Sequence, residues 1–202
     1  MQSWGTQSRF RYRDTGMEPS KSGVIGLLCA ALGRHRSSAV IDLASLSMGV
    51  RVDREGSLQL DFHTAGAGYD RGGTGIVSRR YYLADASFLV AIEGDEKLLE
   101  RLDEALLRPV WQLCLGRKAF VPSRDVRASI EQPGSSALQP GSIRDVLASW
   151  PARRRREDAP LRLVLEGEGE GATEARSDVP LSFADRTFAT RYVKTDWMEA
   201  PA

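Results

Sequence analysis

The chain has 202 residues, a net charge of +1 and an apolar fraction of 42%, which suits a single globular domain with a real core and excludes a low-complexity or disordered chain. Its longest apolar run, residues 24–32, is far shorter than the roughly 18 residues of a membrane span, and residues 1–5 do not look like a secretory signal, so we expect a cytoplasmic protein that does not enter a membrane. The near-neutral charge also excludes a protein that coats nucleic acid without selectivity, because such binding depends on many phosphate contacts.

The N-terminal part of the chain predicts a loop followed by a helix. Residues 1–18 are polar, basic and aromatic without a clear period. Residues 19–33 then read P-S-K-S-G-V-I-G-L-L-C-A-A-L-G, with helix-start signals at Pro19 and at Ser20 or Ser22 and a stop at Gly33. A second, short helix is predicted over residues 38–46. Lys21 adds a charge to the exposed N–H groups at the start of the first helix, so a nucleic-acid phosphate could bind there; simple capping with an exposed lysine is the alternative.

The middle of the chain alternates between strand and helix patterns. Residues 50–52 and 57–62 alternate around D-R-E-G and predict a β-hairpin, and residues 63–75 are so rich in glycine that they predict a loop or hairpin tip. Strands are predicted over residues 76–83, 86–92 and 110–115. Residues 95–107 predict an amphipathic helix, because their leucines fall on one face.

The C-terminal part is less regular. Residues 131–142 are rich in Pro, Gly, Ser and Gln and predict a flexible connection. Strands are predicted over residues 161–165 and around 188–193, separated by an acidic, glycine-rich stretch. The α-β-β order of the first half and the β-α-β order of residues 86–115 predict a ferredoxin-like α+β sandwich that forms one domain over residues 1–202.

Basic side chains concentrate in residues 1–36 and 117–156 and predict contact with RNA. The glycine-rich loop leads into R-R-Y-Y at residues 79–82, and arginine can bind phosphates while arginine and tyrosine can stack on unpaired bases. In a strand, Arg80 and Tyr82 share one face and Arg79 and Tyr81 share the other; the alternative is that one of these faces packs in the core. Arg117 and Lys118 form a second basic patch in a loop.

The sequence offers few groups for catalysis. Of two histidines, His63 lies near the glycine-rich loop, where it could serve acid–base cleavage of RNA; a packing or hydrogen-bonding role is the alternative. Cys29 and Cys114 lie in apolar stretches and are expected to be buried, reduced thiols. Because cysteines and histidines lack ligand spacing, we predict no metal. The sequence also contains no P-loop, no dinucleotide-binding fingerprint and no Gly-x-Ser-x-Gly elbow, and we predict no cofactor and no catalytic residue.

Several segments carry a resemblance to a known family. In chain order they are M-Q-S-W-G at residues 1–5, the 19–33 segment, F-H-T-A-G-A-G at 62–68, Y-Y-L-A-D-A-S-F-L-V-A at 81–91, L-G-R-K at 115–118 and A-T-R-Y at 189–192. Together they resemble the CasD-type subunits of type I-E Cascade, a CRISPR RNA-guided surveillance complex of antiviral defence. This resemblance implies a ferredoxin-like (RRM-related) body with an inserted β-hairpin thumb, here at about residues 63–83.

The resemblance also implies a function and partners. It implies a non-catalytic subunit that binds the 5′ handle of the CRISPR RNA (crRNA), caps the backbone subunits and adjoins the large subunit that reads the PAM, so that target DNA is contacted only indirectly. The residues expected near the RNA are Trp4, Lys21, Ser22, His63, Arg79, Arg80, Tyr82, Arg117 and Lys118.

Two further expectations accompany this resemblance. The family pattern has a strand ahead of the M-Q motif, so we expect the first, central strand to be missing from this chain and to leave a gap in the sheet. The alternative function is a metal-independent endoribonuclease that cuts precursor crRNA, with His63 and a nearby lysine or tyrosine as its catalytic groups.

Overall fold

The computed structural model describes residues 1–5, 11–65, 75–128, 136–152, 160–167 and 174–199. Within them the chain forms an α+β fold, as predicted. In chain order the elements are β1 (Tyr12–Arg13), α1 (Lys21–Leu32), α2 (Ile41–Ala44), β2 (Ser47–Arg54), β3 (Ser57–Ala65), β4 (Ile76–Ala84), β5 (Ser87–Glu93), α3 (Glu96–Leu107), α4 (Ile143–Ser149), β6 (Leu161–Glu166), β7 (Glu174–Ser182) and β8 (Thr187–Met198).

The body is an antiparallel five-stranded sheet in the order β5-β2-β6-β8-β7. On one face, Met48, Val50, Val164 and Val193 form a buried cluster on which Val24 of α1 packs. On the other face α4 lies over β2, where Gly49 leaves room for it: a Cβ at this position would stand 2.3 Å from a methyl carbon of Ile143. Helices on both faces explain why β2 is almost entirely buried.

The two longer predicted helices are confirmed, and their ends follow local chemistry. In α1 the Ser20 hydroxyl accepts a hydrogen bond from the Gly23 N–H at 3.3 Å, and Gly33 ends the helix with a φ of 69°. In α3 the Asp95 carboxylate accepts from the Leu98 N–H at 3.0 Å. The described residues contain no helix long and apolar enough to cross a membrane.

A second, three-stranded sheet has the order β1-β4-β3. Its strands β3 and β4 pair along their whole length, from Ser57 opposite Ala84 to Ala65 opposite Ile76. We call β1, β3 and β4 the hairpin sheet. The predicted hairpin of residues 50–52 with 57–62 is therefore wrong, because β2 pairs with β5 and β6 in the body while β3 pairs with β4. The paired hairpin, residues 57–84, is also longer than the predicted thumb at 63–83.

Other parts of the chain also differ from prediction. Residues 110–115 are not a strand: the N–H groups of Val110 and Trp111 instead donate to the carbonyls of Ala31 and Ala30 at the end of α1, where the Ala30 carbonyl also accepts from the Gly33 N–H. The sequence did not indicate β1, β7 or α4. Residues 66–74 of the glycine-rich loop and 131–135 of the predicted flexible connection lie outside the described residues.

A groove runs along β5, which pairs only with β2 in the described part of the chain. Its volume is about 420 Å³, and its walls come from α1, α3, α4 and residues 122–128. Apolar side chains such as Leu28, Leu99 and Val146 line it.

Candidate nucleic-acid interface

The hairpin sheet separates its side chains onto two faces. Opposed residues of an antiparallel pair point to the same side, so the register of Asp61 with Arg80 and of Phe62 with Arg79 assigns Arg80 to one face and Arg79 to the other. Strand β1 joins in parallel, with Tyr12 opposite Arg79 and Arg13 opposite Arg80. The alternation that the R-R-Y-Y segment predicted is thus present.

Three arginines from distant parts of the sequence meet on the first face. Arg13 and Arg80 are neighbours across the β1–β4 pair. Arg117 reaches them from the loop after α3, and its guanidinium donates to the Tyr81 carbonyl at 2.9 Å and the Arg13 carbonyl at 3.4 Å. We call Arg13, Arg80 and Arg117 the arginine cluster.

The electrostatics of the arginine cluster favour an anion. Burial, followed by the positive charges of Arg80 and Arg13, lowers the pKa of Arg117, although nearby Asp61 and Asp14 act in the opposite direction. Such repulsion between like charges would be relieved by a bound phosphate. Guanidinium groups also match phosphate oxygens with two parallel hydrogen bonds.

A tight turn holds Arg117 in place. The Phe120 N–H donates to the Arg117 carbonyl at 2.8 Å, and the Arg117 guanidinium lies 5.6 Å from the centre of the Phe120 ring. Gly116 begins this turn with a φ of 87°, and a Cβ there would stand 1.7 Å from the Ser3 carbonyl oxygen. Only glycine fits such a site, so the G-R-K sequence sets the position of the arginine.

Aromatic rings flank the basic groups on both faces. On the arginine-cluster face, the rings of Tyr82 and Phe120 are 5.7 Å apart. On the opposite face, the Arg79 guanidinium lies 5.6 Å from the centres of both the Tyr12 and the Phe62 rings and donates to the Tyr12 hydroxyl at 3.1 Å. Arg79 therefore belongs to a different surface from Arg80.

His63 and Lys118 lie at the edge of this interface. His63 is exposed on the arginine-cluster face, opposite Ser78, whose hydroxyl donates to the His63 carbonyl at 3.0 Å. Lys118 is exposed in the turn beside Arg117. Within the described part of the chain, no three His, Cys, Asp or Glu side chains are grouped so that they could hold a metal ion.

The structure separates Lys21 and Ser22 from the arginine cluster. Lys21 is 3% exposed, and its ammonium donates to both carboxylate oxygens of Glu166, at 2.8 and 3.0 Å. The helix N-terminus, for which phosphate binding and simple capping were the two alternatives, is occupied by Asp178, which accepts from the Lys21 N–H at 2.7 Å. Ser22 is half-buried, with its hydroxyl 3.4 Å from that of Ser20.

Trp4 is also an internal residue. It is 4% exposed and packs in a buried cluster with Leu83 and Ala86, and its indole N–H donates to the Gln2 side chain at 3.1 Å. A buried ring cannot stack on a base, so the burial of Trp4, like that of Lys21, indicates a structural role, and contact of either residue with RNA stays a prediction. Arg13, by contrast, was missed; the alternating R-Y-R of residues 11–13 was its only signal.

Comparisons with known proteins give a consistent result. Residues 1–194 match the model of a family described as CRISPR-associated protein (Cas_Cas5). The "CRISPR system Cascade subunit CasD" of Escherichia coli (strain K12) is 36% identical over 138 residues, which are 59% of this chain and 62% of that protein, so the match spans less than two thirds of that relative.

Two solved structures are similar over nearly the whole chain. One, "Crystal structure of Cas protein", has a TM-score of 0.78 and 41% identity and is matched over 99% of this chain and 92% of its own. The other, "CRISPR RNA-guided surveillance complex", has a TM-score of 0.78 and 36% identity, and the match covers 100% of this chain and 87% of that chain.

Proposed function

The chain belongs to the Cas5 family of CRISPR-associated proteins, and from this premise we propose that it is a non-catalytic, RNA-binding subunit of a type I-E Cascade complex. One relative is a Cascade subunit by name, and another structure is an RNA-guided surveillance complex. The RNA is the crRNA, held at its 5′ handle. The other proposed partners are the backbone subunits, which this chain caps, and the large PAM-reading subunit, all in the cytoplasm.

The observation that carries this proposal is the convergence of Arg13, Arg80 and Arg117 on one face of the hairpin sheet. Phosphate contacts supply much of the affinity of a protein for RNA, and a concentrated positive patch provides them even when the net charge is close to zero. Lys118 and His63 border the same patch and extend it. Trp4, Lys21 and Ser22 are left out of the proposed site, and Arg79 serves the opposite face.

Charge reversal of the arginine cluster tests this function. The Arg80→Glu/Arg117→Glu variant should bind a handle-bearing RNA at least about tenfold more weakly in a filter assay, because each lost contact is a charge-assisted hydrogen bond. The matched control is Lys97→Glu/Arg101→Glu, the same charge change at two exposed positions of α3. Thermal melting must show that both variants are folded. If both then bind the RNA with equal affinity, the arginine cluster does not belong to the site.

Recognition of the handle requires its own comparison. The native chain should prefer an RNA with the crRNA handle to one of equal length with a shuffled handle, and the preference should persist at a salt concentration that weakens both. Base contacts specify whereas phosphate contacts position, so a preference that vanishes would mean that the chain holds RNA without reading the handle.

The endoribonuclease alternative depends on His63. Its cross-strand neighbour is Ser78, whose hydroxyl donates to the His63 carbonyl and not to the ring, so an enzyme would have to pair His63 with Asp61 or Tyr82 of the same face or with Lys118 at its edge. Purified chain incubated with labelled precursor crRNA should leave it intact. Site-specific cleavage that His63→Ala abolishes would establish the enzyme instead.

A further inference from the structure

Strand β8 alternates between buried and exposed side chains along residues 188–194. Arg191 and Val193 point inward, and Val193 is part of the core beneath α1. The alternate residues of this stretch point outward, to the opposite side of the body sheet. They are Phe188, which is 39% exposed, Thr190, Tyr192, which is 56% exposed, and Lys194.

This outward side of the body sheet is only half covered. Helix α4 packs over β2 and β5, and within the described residues no helix lies over β7 and β8 on that side. Ser177 and Thr190 join the two strands there through their hydroxyls, which are 3.0 Å apart, and Ala175 lies opposite Tyr192. We call Ala175, Ser177, Phe188, Thr190, Tyr192 and Lys194 the β8 face.

Two exposed aromatic rings on such a face are unusual. The solvated face of an antiparallel sheet is normally polar, and exposed aromatic rings concentrate at binding surfaces. Phe188 and Tyr192 are four residues apart, so their Cα atoms are separated by roughly 13 Å along the strand. Between and beside the rings stand a hydroxyl pair and a lysine.

The charges around the β8 face favour an anionic ligand. Lys194 is exposed, as is Arg186 in the turn between β7 and β8. Two nearby carboxylates are paired with arginines: Asp196 accepts from Arg144 at 2.5 Å, and Glu174 from Arg176 at 2.9 Å. A third, Asp185 in the turn beside Arg186, accepts from the Ser182 hydroxyl at 2.8 Å. An anion that approaches the rings therefore meets exposed cations, and the carboxylates of Asp196 and Glu174 are not free to compete with it.

We propose that the β8 face binds unpaired nucleotides, with bases stacked on Phe188 and Tyr192 and a phosphate at Lys194. Sheets that display aromatic rings beside cations and hydroxyls bind single strands in this way, because every base has a face on which to stack. The aromatic rings alone would also suit a protein partner, because tyrosine and phenylalanine are enriched in protein interfaces, but the lysine, serine and alanine beside them are depleted there. The inference goes beyond the proposed function, which concerns the hairpin sheet.

Oligonucleotides without a handle test the proposal. Binding of labelled twelve-residue oligo(U) and oligo(dT) is measured by fluorescence anisotropy, and 5-iodouridine in the RNA is photo-cross-linked and mapped by mass spectrometry. The Phe188→Ala/Tyr192→Ala variant should lose about tenfold or more in affinity, together with cross-links to residues 187–194. Lys194→Gln should reduce the salt dependence by about 0.7 in the slope of log K against log salt.

Matched variants keep the result interpretable. Trp197→Ala removes a ring that is 57% exposed on the same strand but has the opposite parity, so it should change affinity less than about twofold. Tyr192→Phe retains the ring and should retain binding. If the double alanine variant fails to fold, Phe188→Leu/Tyr192→Leu removes the rings while preserving apolar bulk.

The outcomes separate this proposal from its alternatives. An equal loss for oligo(U) and oligo(dT) supports stacking common to both strands, and a loss for oligo(U) alone supports RNA bound through its 2′-hydroxyls. The proposal is overturned if the Phe188→Ala/Tyr192→Ala variant keeps its affinity for the oligonucleotides and the cross-links map elsewhere. It is also overturned if that variant loses binding to another complex subunit but keeps oligonucleotide binding. Loss of handle binding in Arg80→Glu/Arg117→Glu, together with unchanged oligonucleotide binding in Phe188→Ala/Tyr192→Ala, would leave the proposed function standing and this inference refuted.

Discussion

Replacing Lys21 with methionine distinguishes a structural role from an RNA-binding one. Methionine keeps most of the side-chain length but removes the ammonium that bonds both oxygens of Glu166. Breaking a buried pair by removing one partner costs roughly 3–5 kcal/mol. Glu166 is 20% exposed and keeps Arg191 at 3.5 Å and the Met48 N–H at 3.1 Å, so we expect a smaller loss, about 2–3 kcal/mol.

Thermal unfolding and RNA binding measured on the same preparations provide the assay. A loss of this size should lower the melting temperature by about 5–10 °C for a chain of this length. Below the melting transition, affinity for handle RNA should stay within about twofold of the native chain. In a double-mutant cycle, adding Glu166→Gln should cost less than the sum of the single changes. A Lys21→Met variant of native stability that binds RNA tenfold more weakly would refute this reasoning.

Three further results are expected. Arg80→Gln/Arg117→Gln should flatten the salt dependence of RNA binding by about 1.4 in the slope of log K against log salt, measured by titration at several salt concentrations, since each phosphate contact to a single strand contributes about 0.7. Gly116→Ala should destabilise the chain and weaken RNA binding, seen by melting and filter binding, because its Cβ would collide with the Ser3 carbonyl. The hydrogen bond from Arg127 holds the pKa of Asp103 below its ordinary range. The stability that this carboxylate contributes is therefore present above that range and is lost as the pH falls through the lowered pKa. Urea unfolding of Asp103→Asn should accordingly show a shallower loss of stability in acid.

Local patterns predicted the elements whose signals are local. The Ser20 cap and Gly33 stop of α1 and the leucine face of α3 lie within single segments, and both helices form where expected. The alternation of Arg79 and Arg80 was also predictable, because it follows from the twofold period of a strand. Strand β7 and helix α4 were missed: β7 begins in an acidic, polar stretch and α4 has only 7 residues, too few for a periodic pattern to emerge.

Pairing between distant segments was beyond reach of the same patterns. Residues 50–52 and 57–62 read equally well as partners of each other, and only the packed body shows that β2 pairs with β5 and β6 instead. Arg51 is a similar case. A charged residue in an alternating strand predicts a solvated face, yet Arg51 is 0% exposed, donates to Asp53 and bonds the carbonyls of Leu147 and Trp150 at the end of α4.

The sequence by itself determined the α+β class, the main helices, the two faces of the R-R-Y-Y segment and the resemblance to a CRISPR-associated family, because each depends on residues close together in the chain. Only the tertiary structure decided which cations are available to a ligand. Lys21 and Arg117 look alike in the sequence as basic residues that could bind a phosphate, but folding places Glu166 against Lys21 and two arginines beside Arg117. The sequence shows that Lys21 carries a charge, but the neutralisation of that charge depends on Glu166, which lies 145 residues further along the chain.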